Sequence, residues 1–270
     1  MLSAVAPRVR PAAQAGRFYP AIPARLQADV SAYLEAAMPP EGPVPKALIV
    51  PHAGYMFSAA VAASGFVQLA PAHDRIRRVV LIGPSHYEDF PGLAATSDEA
   101  FATPLGLVPV DFEAVTAAQA LPQVVCLERV HGPEHCLEVE LPFVQTVVDA
   151  FTVVPLLVGR ASAEEVSEVL DRLWGGAETA VIVSSDLSHY LDYPTARRKD
   201  RATADAIQAL RWQELDGDCA CGHRAICGLL VCAQRRGLRC QVLDLRNSGD
   251  TAGPRDRVVG YGAFLFAEPA

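Results

Sequence analysis

The stretch Lys46-Ala-Leu-Ile-Val-Pro-His-Ala-Gly-Tyr55 joins an uninterrupted apolar run to a polar turn. A strand with one wet face alternates apolar and polar residues, whereas one that is apolar throughout is covered on both faces. The same composition returns in Arg77-Arg-Val-Val-Leu-Ile-Gly83, Phe151-Thr-Val-Val-Pro-Leu-Leu-Val158 and Thr179-Ala-Val-Ile-Val-Ser184. Between these runs the apolar period becomes helical, over 58–69, from about Ser162 and over 195–210. At Ser162 the order Ser-Ala-Glu-Glu has the spacing of a capping box. Doubly buried strands alternating with helices predict a single α/β layered domain over 1–270, with an N-terminal arm over about 1–20. Its central sheet is expected to be mixed, largely parallel, and flanked by helices. Two hairpin-like segments are also expected. One joins 93–97 to 105–110 across Phe-Ala-Thr-Pro-Leu-Gly106, and the other joins 241–245 to 257–266.

Composition narrows the function. Of 270 residues, 51% are apolar and 20% charged, too few charges for a disordered chain. The net charge of −8 argues against nucleic acid as a partner. The richest apolar stretch, 141–158, is broken by Pro142, Gln145, Asp149 and Pro155, so no membrane span is expected. Seven cysteines, an odd number, and an N-terminus without a secretory pattern point to free thiols in the cytoplasm.

In parallel α/β sheets, ligands bind at the carboxyl ends of the strands. Those ends carry Pro51-His52-Ala53-Gly54-Tyr55, Pro84-Ser85-His86, Ser185-Asp186-Leu187-Ser188-His189 and Asn247-Ser248-Gly249-Asp250. Packing has no need of three histidines and two aspartates in that position. Two imidazoles and a carboxylate suit a first-row divalent metal in the facial arrangement of non-haem iron oxygenases. His52 and His86 are therefore assigned as ligands, with Asp250 as the third. His189 is left to move protons, with Asp186 to orient it or a metal-bound water.

Two further clusters stand out. In Glu134-His-Cys-Leu-Glu-Val-Glu140, His135 and Glu138 share a face if the segment is helical, and His135 is read as lining the pocket. Tyr55 is a second pocket candidate. Cys219-Ala-Cys221-Gly-His223 with Cys227 lacks the spacing of paired zinc knuckles, so its thiols are read as core residues. Cys221 is the exception, since it precedes the helix, and it joins the pocket.

Taken in order, Gly16-Arg-Phe-Tyr-Pro20, Pro51-His-Ala-Gly-Tyr55, Gly83-Pro-Ser-His86, Phe101-Ala-Thr-Pro-Leu-Gly106, Glu134-His-Cys-Leu-Glu-Val-Glu-Leu-Pro-Phe143, Ser184-Ser-Asp-Leu-Ser-His189 and Asn247-Ser-Gly-Asp250 closely resemble the Memo family. Its microbial members are called AmmeMemoRadiSam system protein B. The resemblance implies a fold like that of the type-III extradiol (LigB-class) dioxygenases. Those enzymes hold Fe(II) with two histidines and a carboxylate, and use another histidine for proton transfer. Carried over, His52 and His86 match the two ligands and His189 the proton-transfer residue. Asp186 lies in the same motif. Where animal members have a cysteine and the dioxygenases a glutamate, the C-terminal loop here offers Asp250.

The function expected is therefore an Fe(II)-dependent, dioxygenase-like oxidoreductase acting on a small phenol- or enol-like chelating substrate. Copper or zinc are the alternative metals. The resemblance also implies radical-SAM and AMMECR-type protein partners. The alternative functions are a catalytically vestigial scaffold for those partners and a zinc-dependent hydrolase.

Overall fold

All four doubly apolar runs become the centre of one sheet. The structure, a computed structural model, describes residues 7–269, so residues 1–6 of the expected arm lie outside the described residues. In chain order the strands are β1 (Val9–Arg10), β2 (Ala47–Val50), β3 (Arg78–Pro84), β4 (Leu93–Ala95), β5 (Ala100–Thr103), β6 (Gly106–Pro109), β7 (Val124–Cys126), β8 (Thr152–Val158), β9 (Thr179–Ser184), β10 (His189–Leu191), β11 (Arg239–Asn247) and β12 (Val258–Ala267). The main sheet runs β10-β12-β2-β9-β3-β8-β4-β7, with β11 also paired to β12.

Its middle, β2-β9-β3-β8, is parallel. The joints to β12 and β4 are antiparallel, as is the β11–β12 pair. This is a mixed α/β domain whose parallel strands occupy the driest position, where burial on both faces demands unbroken apolar side chains. Every residue of β2 and β9 is buried. The helices Tyr55–Phe66 and Pro23–Ala36 pack together on one side, and Ala163–Leu173 packs on His223–Arg236 on the other. The capping box at Ser162 forms, with Glu165 as its partner.

Register is what positions the site. Val50 is paired with Ser184, and Ile82 with Val183. The turns after β2, β3 and β9 therefore begin at the same level of the sheet. The Ser185 N–H donates to Val50 O at 2.8 Å and ties two of those turns directly.

One expected hairpin is redrawn. The antiparallel arms are β5 and β6, joined by Pro104-Leu105, whereas β4 leaves to pair with β7 and β8 in the main sheet. The physical reason is the tight turn itself. Thr103 Oγ1 accepts from Leu105 N–H and Gly106 adopts a φ of 125°, so adjacent residues must pair across it. The segment Tyr55–Ala72 is long and apolar enough to cross a membrane, but 61% of it is buried within the fold, where it serves as a core helix and the turn that follows.

Asp200, on the helix Tyr193–Gln208, gives a stability test. It is 2% exposed, and Gly260 is the only residue type that fits against it, since a Cβ there would lie 2.1 Å from Oδ2. Oδ1 accepts from Ser188 N–H while Oδ2 has no partner. Burial pushes this carboxyl up to about 6, against the pull of Ser188 and His189. A group raised in the folded state stabilises below its unfolded value, near 4, and loses that contribution as pH rises through the folded one. The stability of the wild type relative to Asp200→Asn should therefore fall by up to about 3 kcal/mol between pH 4 and pH 7. Parallel urea titrations measure it, and a difference independent of pH contradicts the assignment.

Candidate metal centre

His52 follows β2 on a turn pinned from below. Its backbone N–H donates to Asp186 Oδ1 at 2.9 Å, and its ring Nδ1 lies 2.8 Å from Ser184 Oγ. Burial, reinforced by the neighbouring His86 and His135, holds the ring well below the ordinary imidazole pKa. A neutral ring has a lone pair to offer.

His86 follows β3, and its orientation is set by Glu134, which is 2% exposed. The carboxylate accepts from the His86 backbone N–H at 2.7 Å and lies 2.9 Å from its Nδ1. It also accepts from the backbone N–H groups of His135 and Cys136. Burial raises the Glu134 carboxyl, but the contacts with His135 and His86 win and hold it well below the usual range. His135 Nδ1 is 3.2 Å from the same oxygen, an ion-pair distance, yet off the line a hydrogen bond needs, which leaves this buried atom unpartnered.

The outcome is a group of three imidazoles. One nitrogen from each of His52, His86 and His135 lies within 4.8 Å of the others. The His86 and His135 rings stack at 4.4 Å, and His52 meets both edge-on at 5.1 and 5.3 Å. A fourth donor stands beside them, since Cys221 Sγ is 3.3 Å from His52 Nε2. Gly222 allows that approach: a Cβ there would come within 2.7 Å of the Ser185 side chain. Burial raises the Cys221 thiol to about 12.

A scan of known families matches this chain over residues 10–265 to the Memo-like proteins. The chain belongs to the Memo family. A MEMO1 family protein of Archaeoglobus fulgidus is 34% identical, over 93% of this chain and 97% of the relative. One from Aquifex aeolicus is 31% identical over 96% and 99%, and one from Methanopyrus kandleri 32% over 95% and 98%. Among solved structures, an uncharacterized protein of Escherichia coli K12 aligns with a TM-score of 0.52 at 12% identity. It covers 81% of this chain and 98% of that one, a likeness of fold.

Against this Memo-family geometry, several sequence assignments move. Asp250 is not part of the imidazole group. Its Oδ2 closes a capping box on Asn247 N–H, and its Oδ1 accepts from Tyr193 Oη. With Tyr193 and Arg197 it lines a different groove, of about 560 Å³. His135 takes its place as the third ring rather than lining a pocket. The pairing of His135 with Glu138 on one helical face does not form, because the helical turns begin only at Glu138. Tyr55 is 6% exposed, donates its hydroxyl to Val139 O, and packs on Tyr19 and Phe143 in the core.

Asp186 is buried beside His52, raised chiefly by that burial, and works as a backbone anchor. His189 is half-buried and stands apart from the three rings, close enough for its charge to bear on Asp186 and His52. It is followed by Tyr190 at φ 61°, a left-handed residue that turns the chain at this point. The aromatic groups that do border the imidazoles are Phe18, 4.5 Å from the His135 ring, and the exposed Tyr87, 6.2 Å from it.

The arm locks the arrangement from outside. Arg10, 2% exposed, pairs with the fully buried Glu138 at 2.5 Å and donates to the carbonyls of His131 and Glu134. Glu138 also accepts from Tyr19 Oη and from the N–H groups of Ala13 and Gln14. Replacing Arg10 by Met strands a buried carboxylate, and should cost about 3 kcal/mol in urea denaturation. A loss under about 1 kcal/mol contradicts the clamp.

Proposed function

We propose that this Memo-family chain binds a first-row divalent metal through His52, His86 and His135, with Fe(II) as the working ion. On this reading it is a dioxygenase-like oxidoreductase acting on a small phenol- or enol-like chelating substrate. The observation that carries the proposal is the convergence of three ring nitrogens from three separate turns, with Nδ1 of His52 and His86 already engaged by Ser184 and Glu134. A carboxylate behind a ligating histidine is the usual way a protein orients and strengthens that ligand. The unpartnered His135 Nδ1 suits the same role, since a buried ring nitrogen is costly to leave without a partner, and the neutral His52 ring has a lone pair to offer.

When bound, the ion supplies a Lewis-acidic, redox-active centre for a chelating substrate and O₂. The chain's own residues do the rest. His189 accepts the proton that a phenol or enol must lose on chelation, and Asp186 supports its cationic form from the buried side. Phe18 and Tyr87 border the His135 ring and offer flat faces to an aromatic or enolic ring.

Cys221 beside His52 favours a second reading. A thiol among imidazoles also suits Zn²⁺, which would activate water for hydrolysis.

Anaerobic loading with Fe(II), followed by O₂ consumption on addition of catechol-like compounds, tests the first reading. Metal analysis of protein purified without added metal, finding stoichiometric zinc and no O₂ uptake after iron loading, decides for the second. His86→Ala should abolish stoichiometric binding of either metal. Glu134→Gln should weaken it about 10–100-fold in a chelator competition. Unchanged affinity in both variants sinks the ligand assignment.

A further inference from the structure

The Ser184 hydroxyl has three neighbours at hydrogen-bonding distance and one hydrogen to give. Cys136 O lies at 2.7 Å, Glu140 Oε1 at 2.7 Å and His52 Nδ1 at 2.8 Å. All four residues are buried, none more than 2% exposed. A backbone carbonyl can only accept. Unless the Ser184 hydrogen goes to Cys136 O, two oxygens face each other at 2.7 Å with nothing between them, in a place where an unmade hydrogen bond is expensive. The other two neighbours must then donate to Ser184 Oγ. His52 does so through Nδ1–H, and Glu140 as the O–H of a carboxylic acid.

We propose that Ser184, with Glu140 behind it as a neutral carboxylic acid, is the positioning residue that holds His52 in its Nδ1–H tautomer. The consequence for metal binding rests on the metal-centre reading above. Glu140 fits this role on independent grounds. Among the described residues it has no basic side chain at ion-pair distance, whereas Glu138 has Arg10 and Glu134 has the His86 and His135 rings. Burial carries its carboxyl well above the usual range, over the opposing pull of Ser184 and with the help of the nearby Asp186. With the proton on Nδ1, the lone pair of His52 Nε2 faces the other two rings and Cys221. Were Ser184 to donate to the ring instead, an N–H would point into the centre and no ion could be held there.

Long-range ¹H–¹⁵N NMR of the metal-free protein reads the tautomer directly. Wild type and Glu140→Gln, whose amide supplies the same donor, should both show Nδ1–H on His52. Ser184→Ala removes the acceptor, so the ring should become a tautomer mixture and affinity for Fe(II) or Zn(II) should fall about 10–100-fold. Infrared difference spectra should show a carboxylic-acid C=O band at neutral pH in wild type that is lost in Glu140→Gln. A wild-type His52 carrying Nε2–H, or a Ser184→Ala protein with unchanged tautomer and affinity, overturns the proposal. So does the absence of the acid band. Nδ1–H on His52 in a wild-type protein that takes up no metal supports the assignment while removing the metal-centre reading. Metal uptake by a protein with Nε2–H does the reverse.

Discussion

A carboxylate taken out of water must be paired, hydrogen-bonded or protonated, and seven residues of this chain bury three of them. Glu134, Glu138 and Glu140 are each at most 2% exposed. Each meets the constraint differently, and each solution anchors a different part of the site. Glu134 collects the backbone N–H groups of His86, His135 and Cys136 and holds the His86 ring through its Nδ1. Glu138 takes Arg10, whose guanidinium also grips the carbonyls of the turn that carries Glu134. Glu140 has no ion-pair partner among the described residues and faces Ser184, which lies behind the His52 ring. The segment is held from the arm on one side and from β9 on the other. Rotation of the His52 or His86 ring would break its contact with Ser184 or Glu134.

Much of the fold was legible because it follows from composition alone. Runs such as Ala47–Val50 and Thr179–Ser184 can be covered on both faces only inside a parallel sheet, and register then brings their following turns to one level. His52 and His86 could be found from their place after those strands. What sequence spacing misjudged was the ownership of carboxylates. Asp250 has the type and position of a ligand, yet its Asn-Ser-Gly-Asp context satisfies it locally through a capping box, a short-range solution that competes with any distant role. Glu138 and His135 are three apart, but the turn between them is not helical, and Arg10 claims Glu138 across 128 residues. No local pattern reports such a partner. Cys221 was noticed because it precedes its helix. Its contact with His52 depends on Gly222 lying against Ser185, which only the tertiary structure reveals.

The E. coli protein of the same fold shares 12% of its residues with this chain, so the likeness carries architecture and no chemistry. Function has to be argued from the donors. Their charge is the informative quantity. Three neutral imidazoles leave the full charge of a divalent ion uncompensated, whereas a facial set with a carboxylate removes one unit. Here the missing negative charge sits one hydrogen bond further out, on Glu134 behind His86. Glu134 itself is buried, so that distance weakens the compensation without abolishing it. The His52 side is different, because Ser184 behind it is neutral. On the proposed reading, His86, backed by a carboxylate, would be the more electron-rich donor to an ion and His52, backed by a hydroxyl, the poorer one. The weaker donor is the one that already has a thiol 3.3 Å away.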